Sequence, residues 1–173
     1  IFGITGVRTW KELRGIPCIE FENGFEPKQS ICVSRSFSSE IYDLKELQEQ
    51  IANFASSLAE KLRTQNSVAS EISVFAYTNR FKENDLQMYG NKLILMQTPT
   101  SDQRVIICSA VDAVKDVFSK GFGYKKAGVI ATKIMDANSY MRSLFDDVSA
   151  LEREQKLTSV VDSVNRTFGQ GAL

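Results

Sequence analysis

The chain has 173 residues, 43% of them hydrophobic and 24% charged, which leaves room for one ordinary core, little beyond it, and excludes wholesale disorder. Apolar runs stop at four residues, as in Leu93–Met96 and Val105–Cys108, far short of the about 18 that a bilayer requires. The absence of histidine removes the commonest general base, the Ser-His and Cys-His nucleophile pairs and the usual zinc ligand, so hydrolase and zinc-site readings fall away.

The 21 basic and 21 acidic residues cancel, but unevenly along the chain. Residues 1–27 carry three basic and four acidic side chains, and Arg8, Lys11, Glu12 and Arg14 stand where a signal peptide would need its apolar stretch. Beginning at Ile1 rather than Met, this segment reads as a piece of a longer chain. Residues 28–135 hold 14 basic and 11 acidic residues, a net of +3, and residues 136–173 hold four and six. The positive excess thus sits in the part that reads as folded.

That part reads as strand, helix, strand, strand, helix, strand. Ser30–Phe37 alternates Ile31, Val33 and Phe37 with Ser30, Cys32, Ser34 and Ser36, the period of a strand with one covered face and one small, polar face. From Asp43 to Arg63, Leu44, Leu47, Ile51, Phe54, Ala55, Leu58 and Leu62 form one helical stripe, and Asp43 with Glu46 has capping-box spacing. Ile72–Thr78 and Lys92–Thr98 flank the polar stretch Asn79–Asn91 as a long-looped hairpin. Pro99 and Thr100 open a second helix, striped by Ile107, Ala110, Val111, Val114, Val117 and Phe118 and stopped by Gly121 as a left-handed cap. Tyr124–Met135 is the last strand. Two single-stripe helices can both be buried on one face of a four-stranded sheet, so the expected fold is α+β, a βαββαβ split arrangement whose other sheet face stays free. In the tail, Leu157, Val160, Val161, Val164 and Phe168 mark a short amphipathic helix with nothing in the chain to cover it.

Few residues offer chemistry. Lys125 and Lys126 at the start of the last strand are either a solvated strand start or a phosphate-contacting pair, one projecting from each face or edge of a regular strand. Ser34, Arg35 and Ser36 on the first strand are either polar surface or backbone-binding groups on the open sheet face. Gly121-Phe122-Gly123 follows a helix rather than a strand and cannot be a dinucleotide fingerprint. Asp146 and Asp147 lie in a stretch too irregular to hold two metal ions. Leu144-Phe145 before them is either a strand extension packed on the core or an apolar anchor for a partner's groove. Cys18, Cys32 and Cys108 are odd in number and widely spaced, which fits a reducing cytoplasm.

Thr9-Trp10-Lys11-Glu12-Leu13-Arg14-Gly15 with Pro17-Cys18, then Lys28-Gln29, Ser34-Arg35-Ser36-Phe37, Tyr89-Gly90-Asn91, Thr98-Pro99-Thr100, Tyr124-Lys125-Lys126-Ala127-Gly128-Val129 and Leu144-Phe145-Asp146-Asp147 occur in this order. The chain resembles, over nearly its whole length, the C-terminal part of UmuC-type Y-family translesion DNA polymerases. The resemblance implies that residues 1–27 are the end of the thumb and the linker, 28–135 the little finger, and 136–173 a tail. It implies a cytoplasmic module of error-prone SOS repair that lays its free sheet face on primer-template DNA, with Ser34, Arg35, Ser36, Lys125 and Lys126 at phosphate-contacting positions. Ser70 stands where relatives often carry a basic residue, which removes a contact there. The magnesium-binding carboxylates of the parent polymerase would lie upstream, so this fragment is not expected to polymerise DNA alone and needs no cofactor of its own. Met141-Arg142-Ser143-Leu144-Phe145 aligns with the family's sliding-clamp motif; Met141 and Arg142 both depart from its glutamine and hydrophobic residue while the Leu144-Phe145 anchor survives, which implies weak clamp binding. The tail is further implied to dock a UmuD-like accessory subunit. A different class of reading stays open: a protein-interaction domain that engages clamp or accessory subunit without touching DNA.

Overall fold

The structure is a computed structural model that describes residues 3–18, 28–82, 85–139 and 148–169. Its elements are α1 (Ile4–Glu12), β1 (Ile31–Ile41), α2 (Leu44–Thr64), β2 (Ser67–Thr78), β3 (Tyr89–Thr100), α3 (Gln103–Val117), β4 (Tyr124–Asp136) and α4 (Val148–Phe168). From β1 to β4 this is the expected βαββαβ order. The four strands form one sheet in the order β1-β4-β2-β3, with every neighbouring pair antiparallel. β1 and β2 therefore run parallel with β4 inserted between them, the split βαβ arrangement.

Helix α2 forms because one stripe repeats by threes and fours: Leu47, Ile51, Phe54, Ala55, Leu58, Ala59 and Leu62 are all buried. The Asp43 carboxylate accepts from the backbone N–H groups of Lys45 at 2.8 Å and Glu46 at 3.0 Å, satisfying donors that the first turn leaves unpaired. Asn66, at φ 51°, turns the chain directly into β2. The stripes of α2 and α3 meet the same sheet face, and Ile31, Ile72, Val74, Val129, Ala131 and Tyr124 join them in one core. Among the described residues no buried side-chain nitrogen or oxygen lacks a hydrogen-bond partner.

Helix α3 departs from expectation at both ends. It starts at Gln103, not at Pro99 or Thr100: the Asp102 carboxylate caps it through Arg104 and Val105 N–H, while Thr100 Oγ1 accepts from Asp102 N–H at 3.0 Å. Pro99 is the next-to-last residue of β3, an edge strand, where a missing N–H is tolerated. The helix stops at Val117 rather than at Gly121, because the buried Tyr124 hydroxyl donates to Val117 O at 3.1 Å and accepts from Ser119 N–H at 2.8 Å. Gly121, at φ 94°, instead shapes the turn into β4. The strands also run longer than expected. β2 begins at Ser67 because pairing with β4, from Ser67 opposite Asp136 onward, overrides the weak strand propensity of Ser67–Glu71.

Two helices lie outside the core. No residue of α1 is buried, and Ile4, Val7, Trp10 and Leu13 are all exposed, with the Arg14 guanidinium 4.0 Å above the Trp10 ring. Of the tail stripe on α4, Leu157, Val160 and Phe168 are exposed and Val161 and Val164 half-buried. Its tie to the domain includes a forked pair: Arg63 Nε and Nη2 reach Asp162 at 2.6 and 2.7 Å, and Arg63 Nη1 donates to Ser101 O at 3.1 Å. The anchor residues Met141, Leu144 and Phe145, together with Asp146 and Asp147, lie outside the described residues. No helix among the described residues is long and apolar enough to cross a membrane.

Candidate nucleic-acid interface

Directly opposed residues of antiparallel strands share a face, so the register gives the uncovered side of the sheet row by row. One row is Cys32, Ile130, Ser73 and Leu93; the next is Ser34, Gly128, Phe75 and Asn91; the next is Ser36, Lys126, Tyr77 and Tyr89. The alternate rows, such as Val33, Val129, Val74 and Lys92, face the helices, and Lys92 at the end of that row meets Asp116 of α3 at 2.8 Å.

The expected site residues divide accordingly. Ser34, Ser36 and Lys126 share the open face, and Ser36 lies directly across from Lys126. Arg35 does not join them, which corrects the expectation of hydroxyls and guanidinium on one face. Its row is Ala127, Ala76 and Gly90, on the helix side, because period two carries it with Val33 and Phe37; at the edge strand it remains exposed. Lys125 is corrected too, since the strand is not regular there. Lys126 opposes Tyr77 and Tyr124 opposes Thr78, so Lys125 is the extra residue of a bulge, and its ammonium donates to Ser38 O at 2.9 Å. The bulge lets Tyr124 enter the core while both lysines stay partly exposed.

Gly128 sits at the seam of this face. A Cβ there would overlap the Ser34 Cβ, the Phe75 ring and Val33 O, so only glycine lets Phe75 lie across the strand. Beyond that seam the face is not small and polar, as expected from β1 alone. Phe75 and Tyr77 stack with centroids 6.2 Å apart, Tyr77 and Tyr89 follow at 6.3 Å, and the Arg80 guanidinium lies 4.8 Å above Tyr77. Leu93 and Leu95 extend the apolar half along β3. The alternation of Phe75 and Tyr77 with Val74 and Ala76 was the available sequence signal for this half.

Charge on the face is partly compensated. Lys133 pairs with Glu71 and holds its carboxyl below the usual value, helped by the Thr132 hydroxyl. Ser70 Oγ donates to Lys133 O at 3.3 Å. Across the rim, Lys82 reaches Glu40 at 2.9 Å and Asp85 at 3.3 Å; this lowers Glu40 and raises Lys82, and the Glu40 carboxylate in turn raises the Tyr42 hydroxyl that donates to it. Among the described residues no three His, Cys, Asp or Glu side chains are grouped to hold a metal ion.

Residues 28–144 match the impB/mucB/samB family C-terminal domain. The chain belongs to this family. It is 36% identical over 173 residues to protein UmuC of Salmonella typhimurium, covering 99% of this chain and 41% of that protein. It is 33% identical over 165 residues to protein MucB of Escherichia coli, covering 95% and 39%. The chain thus spans about two fifths of the length of these relatives, and the resemblance to the C-terminal part of UmuC-type polymerases holds. Among solved structures, the fold is similar to Dbh DNA polymerase in an insertion ternary complex, at 14% identity and TM-score 0.50 over 76% of this chain and 36% of that one. The little finger domain of PolIV, solved in complex with the beta-clamp processivity factor, is 13% identical with TM-score 0.42, covering 67% and 97%.

Proposed function

We propose that this family member is the DNA-binding little-finger module of an error-prone translesion polymerase, gripping the primer-template backbone through the polar half of its open sheet face. The observation that carries this is the direct opposition of Ser36 and Lys126 on an uncovered face, with Ser34 one row away and Lys125 at the bulge beside it. Lysine is a compact cation that neutralises phosphate without reading sequence, and hydroxyls add hydrogen bonds to the same oxygens. Arg35 contributes from the sheet edge. On this reading residues 1–27 end the thumb, 28–135 form the little finger and 136–173 are a tail. Polymerisation and its magnesium belong to upstream parts of a cytoplasmic parent enzyme, and this chain alone incorporates no nucleotide.

With about four neutralised phosphates, log affinity should fall against log salt with a slope near −3 to −4. A Lys125→Ala/Lys126→Ala variant should lose about tenfold in affinity and flatten that slope by about two. Binding that ignores salt, or none at low salt, would sink the reading.

The exposed Leu157, Val160 and Phe168 of α4 favour a second role beside or instead of the first, docking of a UmuD-like accessory subunit, with the sliding clamp held weakly through Met141, Leu144 and Phe145. If interaction is the whole function, the double lysine variant retains every partner and DNA retention does not change.

A further inference from the structure

We propose that the Tyr89 corner of the open face holds an unpaired nucleobase of single-stranded template, with Arg80 neutralising the phosphate beside it; this rests on the reading of the face as a nucleic-acid interface. Exposure rises along the aromatic ladder on the open face: Phe75 is 9% exposed and Tyr89 57%. The ladder therefore ends on one open ring. A shallow, open groove adjoins that ring, lined by Arg80, Gln87, Met88 and Tyr89, a shape that suits a base lying on a ring rather than an enclosed small ligand.

Its wall is built by hydrogen bonds within the β2–β3 loop. The Gln87 amide donates to the carbonyls of Asn79, Lys82 and Asp85, its own carbonyl accepts from Thr78 Oγ1, and Thr78 Oγ1 also accepts from Met88 N–H. Lys82 reaches both nearby carboxylates, Glu40 and Asp85, and so offsets half of their charge, while Arg80 on the groove side faces the incoming phosphate. Arg80 lies above the Tyr77 ring, and Lys126 stands opposite Tyr77 on the neighbouring strand.

The chemistry selects the ligand. An open aromatic ring sharing a groove with a guanidinium takes a base by stacking and its phosphate by charge, without reading sequence. A base inside duplex is already stacked on both faces and cannot use the ring. An unpaired one can.

The test uses the whole chain and three DNAs at low salt: a primer-template whose single-stranded overhang carries a fluorescent adenine analogue, the same overhang with an abasic site, and a blunt duplex. Loss of the base should weaken binding about tenfold, within the range that base–aromatic stacking spans. Tyr89→Ala should cost the intact overhang the same factor, cost the abasic overhang and the blunt duplex nothing, and abolish quenching of the analogue, while Tyr89→Phe keeps all three behaviours. Equal binding of intact and abasic overhangs, or a Tyr89→Ala loss shared by the blunt duplex, overturns the base site and leaves the backbone grip standing. Overhang binding without blunt-duplex binding supports the base site and removes the duplex grip; no binding to any DNA removes both.

Discussion

The two halves of the open sheet face obey the same alternation and yet carry different chemistry. Along β1 and β4 the outward positions are Cys32, Ser34, Ser36, Lys126, Gly128 and Ile130, mostly small or polar; along β2 and β3 Phe75, Tyr77, Tyr89, Leu93 and Leu95 dominate, with Glu71, Ser73 and Asn91 among them. On the helix side the central positions of the same strands are uniformly apolar, since they fill one core, and only the edge positions Arg35 and Lys92 are charged. An uncovered face has no such constraint, so its composition is free to answer to a ligand, and here it suits phosphate on one side and flat rings on the other. Gly128 is what lets the halves meet.

The largest effect should come from closing that seam. Gly128→Val would press a branched side chain into Ser34, the Phe75 ring and Val33 O. Overpacking of this kind costs about 1–3 kcal/mol, so thermal unfolding should move down by several degrees and DNA affinity should drop with it. A variant that melts like the parent would mean that the two halves are not in contact through this residue. It would separate them as surfaces.

A smaller effect of the opposite sign is expected from Glu71→Gln. Glu71 stands in the open-face row next to that of Ser73 and engages Lys133. Removing its charge frees one ammonium, so DNA affinity should rise by about two- to fivefold and the salt slope steepen by up to about one. Unchanged affinity would place Lys133 outside the footprint and confine the phosphate half to β1 and the start of β4.

How much of this was legible in the sequence differs by side. The helix-facing core was readable because Leu47, Ile51, Leu58 and Leu62 keep a period that only a buried stripe explains, and the split βαββαβ order followed from it. The ends of α3 were not readable, since the Tyr124 hydroxyl that takes the Val117 carbonyl is a tertiary contact. Nor was the bulge at Lys125, which arises from register between strands distant in sequence. The wrong face assigned to Arg35 was avoidable: it shares the parity of Ile31, Val33 and Phe37. The tail helix reads as uncovered in the sequence, and Leu157, Val160 and Phe168 of α4 are indeed exposed; its length of 21 residues and its tie to the domain were not readable. α4 meets the domain through Arg63 and Asp162.

The smallest expected effect is a pH dependence in which binding and stability move oppositely. Lys133, desolvation notwithstanding, holds the Glu71 carboxyl below its ordinary value of 4.5, and Lys82 does the same for Glu40. A carboxyl lowered in the folded state contributes stability that is present above the unfolded value and lost as pH falls through the folded one. Acidification below about 4.5 should therefore weaken the fold slightly, and since the lysine of each pair is exposed to solvent and its charge screened, the loss is small. The same proton releases Lys133, while DNA phosphates stay ionised, so affinity per folded molecule should increase over that interval. Glu71→Gln has no proton to gain there; its affinity should start higher and lose the acid-side rise, whereas Glu40→Gln, altered at the rim, should keep it. If both variants keep the rise, its source lies elsewhere on the chain and Glu71 is not the group that gates the phosphate half.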